Sequence, residues 1–262
     1  MRKWTDEEFE ELKLLAENGI KDKNIATLLG RTKKSIQSKR YKNNIDIITE
    51  DGNVFKELDK KTSWLLGFIT GDGCISNKSK PNNLTIYNSN KKLLIKSRRI
   101  LKAVNKVRKY NANNLGNKQM YRLQINSKEI MKDLKKLNCY GKKKERNPFE
   151  FVPEENKWNF IKGLFEADGN FYNNKDKNKT SLSIAGHKEL IKNVYYWLCK
   201  QINKEPNKIY TSSSTNKTKY FSFTKKDILK LINELGEIRS WFDSTKWKGL
   251  MIFYAENKNS NC

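Results

Sequence analysis

At 262 residues the chain can bury one large domain and a small one, and aromatic residues spread along its length argue against a basic disordered tail. A formal net charge of +25, from 54 Lys+Arg against 29 Asp+Glu, points to a polyanionic partner, nucleic acid before an anionic membrane surface. No apolar run reaches membrane-spanning length and Met1-Arg2-Lys3-Trp4 opens no signal-peptide core, so a soluble, intracellular protein is expected, not a secreted one.

The four cysteines, at 74, 139, 199 and 262, have neither zinc-ligand spacing nor the density of a disulfide framework, and free thiols in a reducing compartment are expected. The single histidine, His187, excludes nuclease chemistries that need several. The weight of lysine and asparagine suits an AT-rich genome, such as a phage or organelle element.

Residues 1–45 read as a separate unit. Thr5-Asp6-Glu7-Glu8 is a capping box opening a helix that ends near Asn18-Gly19, with Phe9, Leu12, Leu15 and Ala16 along one side. A short second helix carries Ile25, Leu28 and Leu29 before Gly30, and Thr32 caps a third over Lys33–Tyr41. The first helix is acidic and the third basic. With Trp4 ahead of it and Ile25-Ala26 to Leu29-Gly30-Arg31 at the turn, the stretch resembles Myb-like helix-turn-helix domains. That resemblance implies a third helix in the major groove, with Lys33, Lys34, Ser35, Gln37, Ser38, Lys39 and Arg40 as candidate DNA contacts. Residues 46–60 read as a polar connection turning at Asp51-Gly52.

Next comes Leu65-Leu66-Gly67-Phe68-Ile69-Thr70-Gly71-Asp72-Gly73, and the chain says it again as Ile161-Lys162-Gly163-Leu164-Phe165-Glu166-Ala167-Asp168-Gly169. The acids lie 96 residues apart (168 − 72). Each copy is an apolar run too long for a strand, ending in Asp-Gly, which predicts a helix with a glycine C-cap. Gly67 and Gly71, and Gly163 and Ala167, fall four apart on one face, where missing side chains let two helices meet backbone to backbone. Such packing brings Asp72 and Asp168 together at two C-terminal ends, where the helix dipoles are already negative. A hard divalent cation between them would relieve the repulsion. The sixth position differs, Thr70 against Glu166, and Glu166 is expected to point to nearly the opposite side of its helix.

The two matched stretches resemble the LAGLIDADG homing endonucleases in their single-chain, two-motif form, over roughly residues 61 to 255. The resemblance implies an α/β (α+β) fold, a pseudo-symmetric duplication with two saddle-shaped antiparallel sheets, here preceded by a small three-helix domain. It implies a hydrolase, part of a mobile genetic element, that cuts both strands of a long, specific DNA site with Mg²⁺ or another divalent cation such as Mn²⁺. Metal would be held by Asp72 and Asp168, with the carbonyls of Gly71 and Ala167 as further ligands.

After each motif the chain reads strand, strand, helix, strand, strand, helix, giving halves at 61–138 and 157–255. Tyr121–Asn126 repeats as Lys219–Thr224, 98 residues on (219 − 121), and each leads into a similar helix, 127–137 and 225–235. Alternation puts Leu123 and Ile125 toward the core and Arg122, Gln124 and Asn126 on the other side. Partner strands at 106–110 and 207–212 offer Lys106, Arg108 and Tyr110, and Lys208, Tyr210 and Ser212. Ser222 and Thr224 complete the candidate DNA contacts of the second half, and the resemblance makes this sheet face a saddle along the duplex.

Between the halves, 139–156 reads as a basic linker touching phosphates. Trp241 and Trp247 are expected in the core or a cap, and 256–262 as a disordered tail. By resemblance, the end of the second strand in each half supplies polar or basic groups near the metals. This points to His187, and to Ser89 or Lys91 in the first half, with Lys91 and His187 carried as catalytic candidates. A histidine that only satisfies a strand end is the alternative. The reading is a monomeric, site-specific double-strand DNA endonuclease. Two others stand beside it: a non-catalytic DNA-binding regulator on the same fold, and an RNA maturase assisting intron splicing.

Overall fold

The computed structural model describes residues 3–17, 19–45, 47, 52–75, 82–111, 119–176, 178–212, 218–234 and 245–257. Asn18, Asp51, residue 235, Trp241, residues 258–261 and Cys262, named above, lie outside them.

Three helices come first: α1 (Asp6–Glu17), α2 (Asp22–Leu28) and α3 (Lys33–Lys42). The capping box is reciprocal, with Thr5 N–H donating to Glu8 Oε2 and Glu8 N–H to Thr5 Oγ1, both at 3.2 Å. Gly19 and Gly30 take φ of 73° and 58°, a left-handed turn that lets the chain reverse after α1 and α2. Thr32 accepts from Ser35 N–H and starts α3. Leu12, Ala16, Ile25, Ala26, Leu29 and Ile36 form a core cluster separate from that of the remaining elements. Arg40, expected on a DNA-facing surface, is instead buried: its guanidinium donates to both oxygens of Asp22, at 2.7 and 3.1 Å.

The chain continues as α4 (Lys60–Asp72), β1 (Gly73–Ile75), β2 (Asn83–Asn88), α5 (Lys91–Ile100), β3 (Arg108–Tyr110), β4 (Met120–Asn126) and α6 (Lys128–Lys136). The order then repeats as α7 (Lys157–Asp168), β5 (Gly169–Asn174), β6 (Lys179–Gly186), α8 (Lys188–Gln201), β7 (Tyr210–Thr211), β8 (Lys219–Phe223) and α9 (Lys225–Glu234), before α10 (Thr245–Asn257). Each set makes one four-stranded sheet, β1-β2-β4-β3 and β5-β6-β8-β7, antiparallel throughout. Helices pack on one face of each sheet, and a single core runs through both.

The halves meet through α4 and α7. A methyl group at Gly67 would be driven into the backbone carbonyl of Phe160, and one at Gly163 into that of Trp64. Only glycine permits this approach. Gly73 and Gly169 do close the two helices, but with φ of −79° and −78° rather than a left-handed turn. Space is what they supply, since a Cβ there would press on the Ile69 and Phe165 carbonyls at 2.5 Å.

Three sequence expectations need correction. Residues 139–156 are a packed segment, not a bare linker: short 3-10 turns at 143–145, 148–151 and 154–156 bury Phe149, Val152 and Arg146. The expected tail begins inside α10, where Glu256 pairs with Lys175 at 2.9 Å. Both edge strands are shorter than expected, so Lys106 and Lys208 precede β3 and β7 rather than belonging to them.

Candidate active site and nucleic-acid interface

Because α4 and α7 cross at their glycines, their C-terminal ends lie together. A Cβ on Gly71 would fall 2.8 Å from Asp168 Oδ2 and onto the Ala167 methyl, so the Asp168 carboxylate lies against the end of the opposite helix. Asp72 accepts a 2.6 Å hydrogen bond from Asn88 Nδ2. Its carboxyl is pushed up to about 6, chiefly by burial and further by the nearby Asp168 charge, while Asn88, Lys143 and Lys246 pull the other way. Asp168 is held by Lys143, whose Nζ lies 2.9 and 2.8 Å from its two oxygens.

Basic side chains also cap both helix ends. Arg146 donates to the carbonyls of Gly73 at 2.8 Å and Ile69 at 3.4 Å, closing α4. Lys246 Nζ donates to those of Phe165, Glu166 and Ala167, at 3.2, 2.9 and 3.1 Å, closing α7. Cations here complement the negative dipole ends, Arg146 from the segment that follows α6 and Lys246 from α10. The Ala167 carbonyl, expected as a metal ligand, is thus already taken by an ammonium.

Two cavities flank the acids. One, of about 260 Å³, is lined by Asp72, Asn88, Ser89, Asn90, Glu166 and Lys246 among others. Glu166 therefore lines the cavity on the Asp72 side, whereas Asp168 on the same helix lines the other. Glu166 is 3% exposed, beside α4 rather than out to solvent. Thr70, its counterpart, turns back to the Leu66 carbonyl at 2.7 Å. The second cavity, of about 360 Å³, is lined by Lys143, Lys144, Asp168, Gly186, His187 and Thr218, with Ala185. His187 caps α8 without using its side chain, and its Nδ1 is buried with no hydrogen-bond partner among the described residues. Lys91 lines neither cavity: it opens α5 and sends Nζ to 6.0 Å from the Tyr121 ring.

Asn88 and Lys246 escaped sequence reasoning, and Lys143 and Arg146 entered it only as part of a basic linker touching phosphates. Asn88 was recoverable, as the last residue of the strand that returns to the motif. Lys246 had no signal, since it comes from a helix with no motif, 78 residues beyond Asp168 (246 − 168).

Among the described residues no three His, Cys, Asp or Glu side chains cluster as a metal site. Two carboxylates do fit a hard cation of the Mg²⁺ kind, which keeps several waters and completes its shell with substrate phosphate.

The outer sheet faces carry the expected alternation. Leu123 and Ile125 are fully buried, while Arg122 and Gln124 lie half-buried and Asn126 exposed on the other face. Arg108 and Tyr110 share that face through pairing with Arg122 and Met120. In the second sheet Tyr210 and Ser222 are on the outer face, but Thr224 is spent as a helix cap, its Oγ1 2.9 Å from Asp227 Oδ2.

Two four-stranded antiparallel sheets related by paired, glycine-packed helices that end in acids decide the architecture. This is the duplicated LAGLIDADG fold. Residues 59–137 match the family model for the LAGLIDADG-like domain. Among solved structures, the LAGLIDADG homing endonuclease I-GzeII in complex with its DNA target is 13% identical with a TM-score of 0.52, covering 78% of this chain and 92% of that one. The homing endonuclease I-WcaI bound to its DNA recognition sequence is 19% identical with a TM-score of 0.50, covering 70% and 84%. Full-length DUF199/WhiA from Thermatoga maritima is 16% identical with a TM-score of 0.50, and covers 79% of this chain. The chain spans 64% of the length of that WhiA protein. At these identities the likeness concerns the LAGLIDADG fold. A comparison with curated protein sequences gave no match. No helix among the described residues is long and apolar enough to cross a membrane.

Proposed function

We propose that this chain is a site-specific, divalent-metal-dependent endonuclease that cuts both strands of DNA, with Asp72 and Asp168 as its metal-binding acids. The observation that carries the reading is the meeting of these two carboxylates at the ends of two glycine-packed helices, between two sheets of a strongly basic chain. DNA as substrate is supported by the net charge and by the DNA-bound neighbours that share the fold. A Mg²⁺-type cation bound there would polarise a phosphate and lower the pKa of a coordinated water.

The chain's own groups set the rest. Asn88 fixes one oxygen of Asp72, and both residues line the first cavity. Lys143 sits where it can exchange its pairing with Asp168 for a phosphate oxygen of DNA. Lys246 holds the end of α7, and with it Asp168, in place. His187, with its buried Nδ1 unpaired, suits the cavity on the Asp168 side as a group that orients water or a leaving oxygen. Residues 1–45 serve as a helix-turn-helix unit that lengthens the bound DNA, through the exposed Lys33, Lys34 and Ser38 of α3 and Ser35, Gln37 and Lys39 beside them.

A second reading, a DNA-binding regulator without cleavage, draws on Lys143 and Lys246, which neutralise the junction without metal. Plasmid cleavage separates the two. Wild-type protein with Mg²⁺ should linearise a plasmid carrying a selected site, and Asp72→Asn and Asp168→Asn should bind it in Ca²⁺ without cutting. Tight binding with no cutting by wild type would give the second reading its place.

A further inference from the structure

The duplicated sheets can be superposed by register alone. Gly73 pairs with Ile86 and Ile86 with Leu123 in the first sheet, while Gly169 pairs with Ile184 and Ile184 with Phe221 in the second. Arg122 therefore stands where Tyr220 stands, one residue back along β4 and β8. Its edge-strand neighbour Arg108 stands where Tyr210 stands, since Arg108 pairs with Arg122 and Tyr210 with Tyr220. At one symmetry-related spot, the first half presents two guanidinium groups and the second two phenol rings.

The arginine pair is costly for the free protein. Like charges directly opposite on neighbouring strands repel, and Arg108 is exposed at the sheet edge. Yet Arg122 has aromatic neighbours: Tyr87 is paired with it across the ladder, and the Tyr110 ring lies 5.7 Å from its guanidinium carbon. Tyr87 and Tyr110 in turn lean on each other at 5.0 Å. A fork flanked by two aromatic rings on an outward sheet face is set to take up two acceptors in one plane. Guanine offers that pair, O6 and N7, in the major groove, which a β-ribbon can enter. In the second half Tyr210 and Tyr220 stack on each other at 5.4 Å and 23° and have no fork to offer. Ala185 replaces Tyr87 beside them, which leaves an apolar floor.

Resting on the DNA-cleavage reading above, we propose that Arg122, with Arg108, demands guanine at one position in one half, and that the mirror-related position under Tyr210 and Tyr220 demands none. Arg122 is then the specificity-determining residue at that position.

Selection of bound duplexes from a randomised DNA library, with the full chain in Ca²⁺, tests this directly. Wild type should enrich sites with one guanine whose replacement weakens binding by roughly 5- to 150-fold. Arg122→Lys keeps the charge but loses the fork, so that guanine preference should vanish while the salt dependence of binding holds. Tyr220→Arg should create a guanine preference at the mirror position. Melting curves matching wild type would show that both variants fold. Guanine at both mirror positions in the wild-type sites, or an Arg122→Lys selection unchanged from wild type, would overturn the proposal and leave the nuclease reading intact. So would an Arg122→Ala variant weakened equally on all sequences with a shallower salt slope, which marks a phosphate contact. Failure of wild type to enrich any sequence would instead take down the site-specific reading, and this proposal with it.

Discussion

Replacing Asp72 by Asn should make the protein more stable and inactive at once. In the folded chain, burial above all holds the Asp72 carboxyl at about 6 instead of 3.8. Between those values the native state binds more protons than the unfolded chain, so stability falls as pH rises through that window. Above about 6 the penalty is complete. A shift of about 2 units at roughly 1.4 kcal/mol per unit makes it about 3 kcal/mol. An amide keeps the shape, can still accept from the Asn88 amide, and carries no charge to bury. In metal-free buffer at pH 7.5 Asp72→Asn should melt several degrees above wild type, since ~1 kcal/mol moves a chain of this size by about 2–4 °C. Near pH 4 the two curves should converge, because the wild-type carboxyl is then neutral as well. Double-strand cleavage with Mg²⁺ should fall by orders of magnitude. A variant that melts at or below wild type at pH 7.5, or a gain that persists undiminished at pH 4, would refute the account of a carboxylate buried against its preference.

Gly67→Ala should cost about 3 kcal/mol or more, because its methyl meets the Phe160 backbone rather than a side chain that could yield; thermal melting reads this out. Asp22→Ala strands the buried Arg40 guanidinium and should cost the three-helix unit about 3–5 kcal/mol, seen as proteolysis of residues 1–45 under conditions that spare the rest. Deleting residues 1–45 should shorten the DNA footprint and flatten the salt dependence of binding, with cleavage kept at high enzyme concentration; an unchanged footprint would assign that unit to a protein partner. Lys246→Met leaves three carbonyls at the end of α7 without their donor, so both the melting temperature and the cleavage rate should drop.

Repetition made the core of this fold legible. Neither motif helix betrays its partner by itself, yet two copies with small residues four apart require a close crossing, and Gly67 and Gly163 meet the opposite backbone as that spacing demands. Strand alternation worked for the same reason: Leu123 and Ile125 are core because a period of two leaves them no other face. What failed was inference from residue type without packing. Arg40 looked like a DNA contact because it sits in a basic helix, but the same helix also has an inner face, and Asp22 waits there. Thr224 looked like the next outward residue of β8, but α9 begins at once and takes its hydroxyl.

The cations of the site show where sequence reading stops. Lys143, Arg146 and Lys246 are three among 54 basic residues, and no spacing rule separates them from the solvated majority. They matter because each motif helix ends on carbonyls and a carboxylate that water reaches poorly, so negative charge accumulates where the duplication forces the helices together. Burial raises Asp72, and the chain places a basic group at each helix end: Arg146, from the segment after α6, for α4, and Lys246, from α10, for α7. The cations differ in how they are held. Arg146 is 2% exposed and donates to the carbonyls of Gly141, Ile69 and Gly73, and Lys246 donates to three carbonyls of α7, whereas Lys143 remains half-exposed beside Asp168. The junction is therefore asymmetric. The same asymmetry recurs on the outer sheet faces, where arginines in one half take the places of tyrosines in the other. A chain that carries both halves in one sequence is free to let them diverge, and it has done so at the acids and on the sheet faces alike.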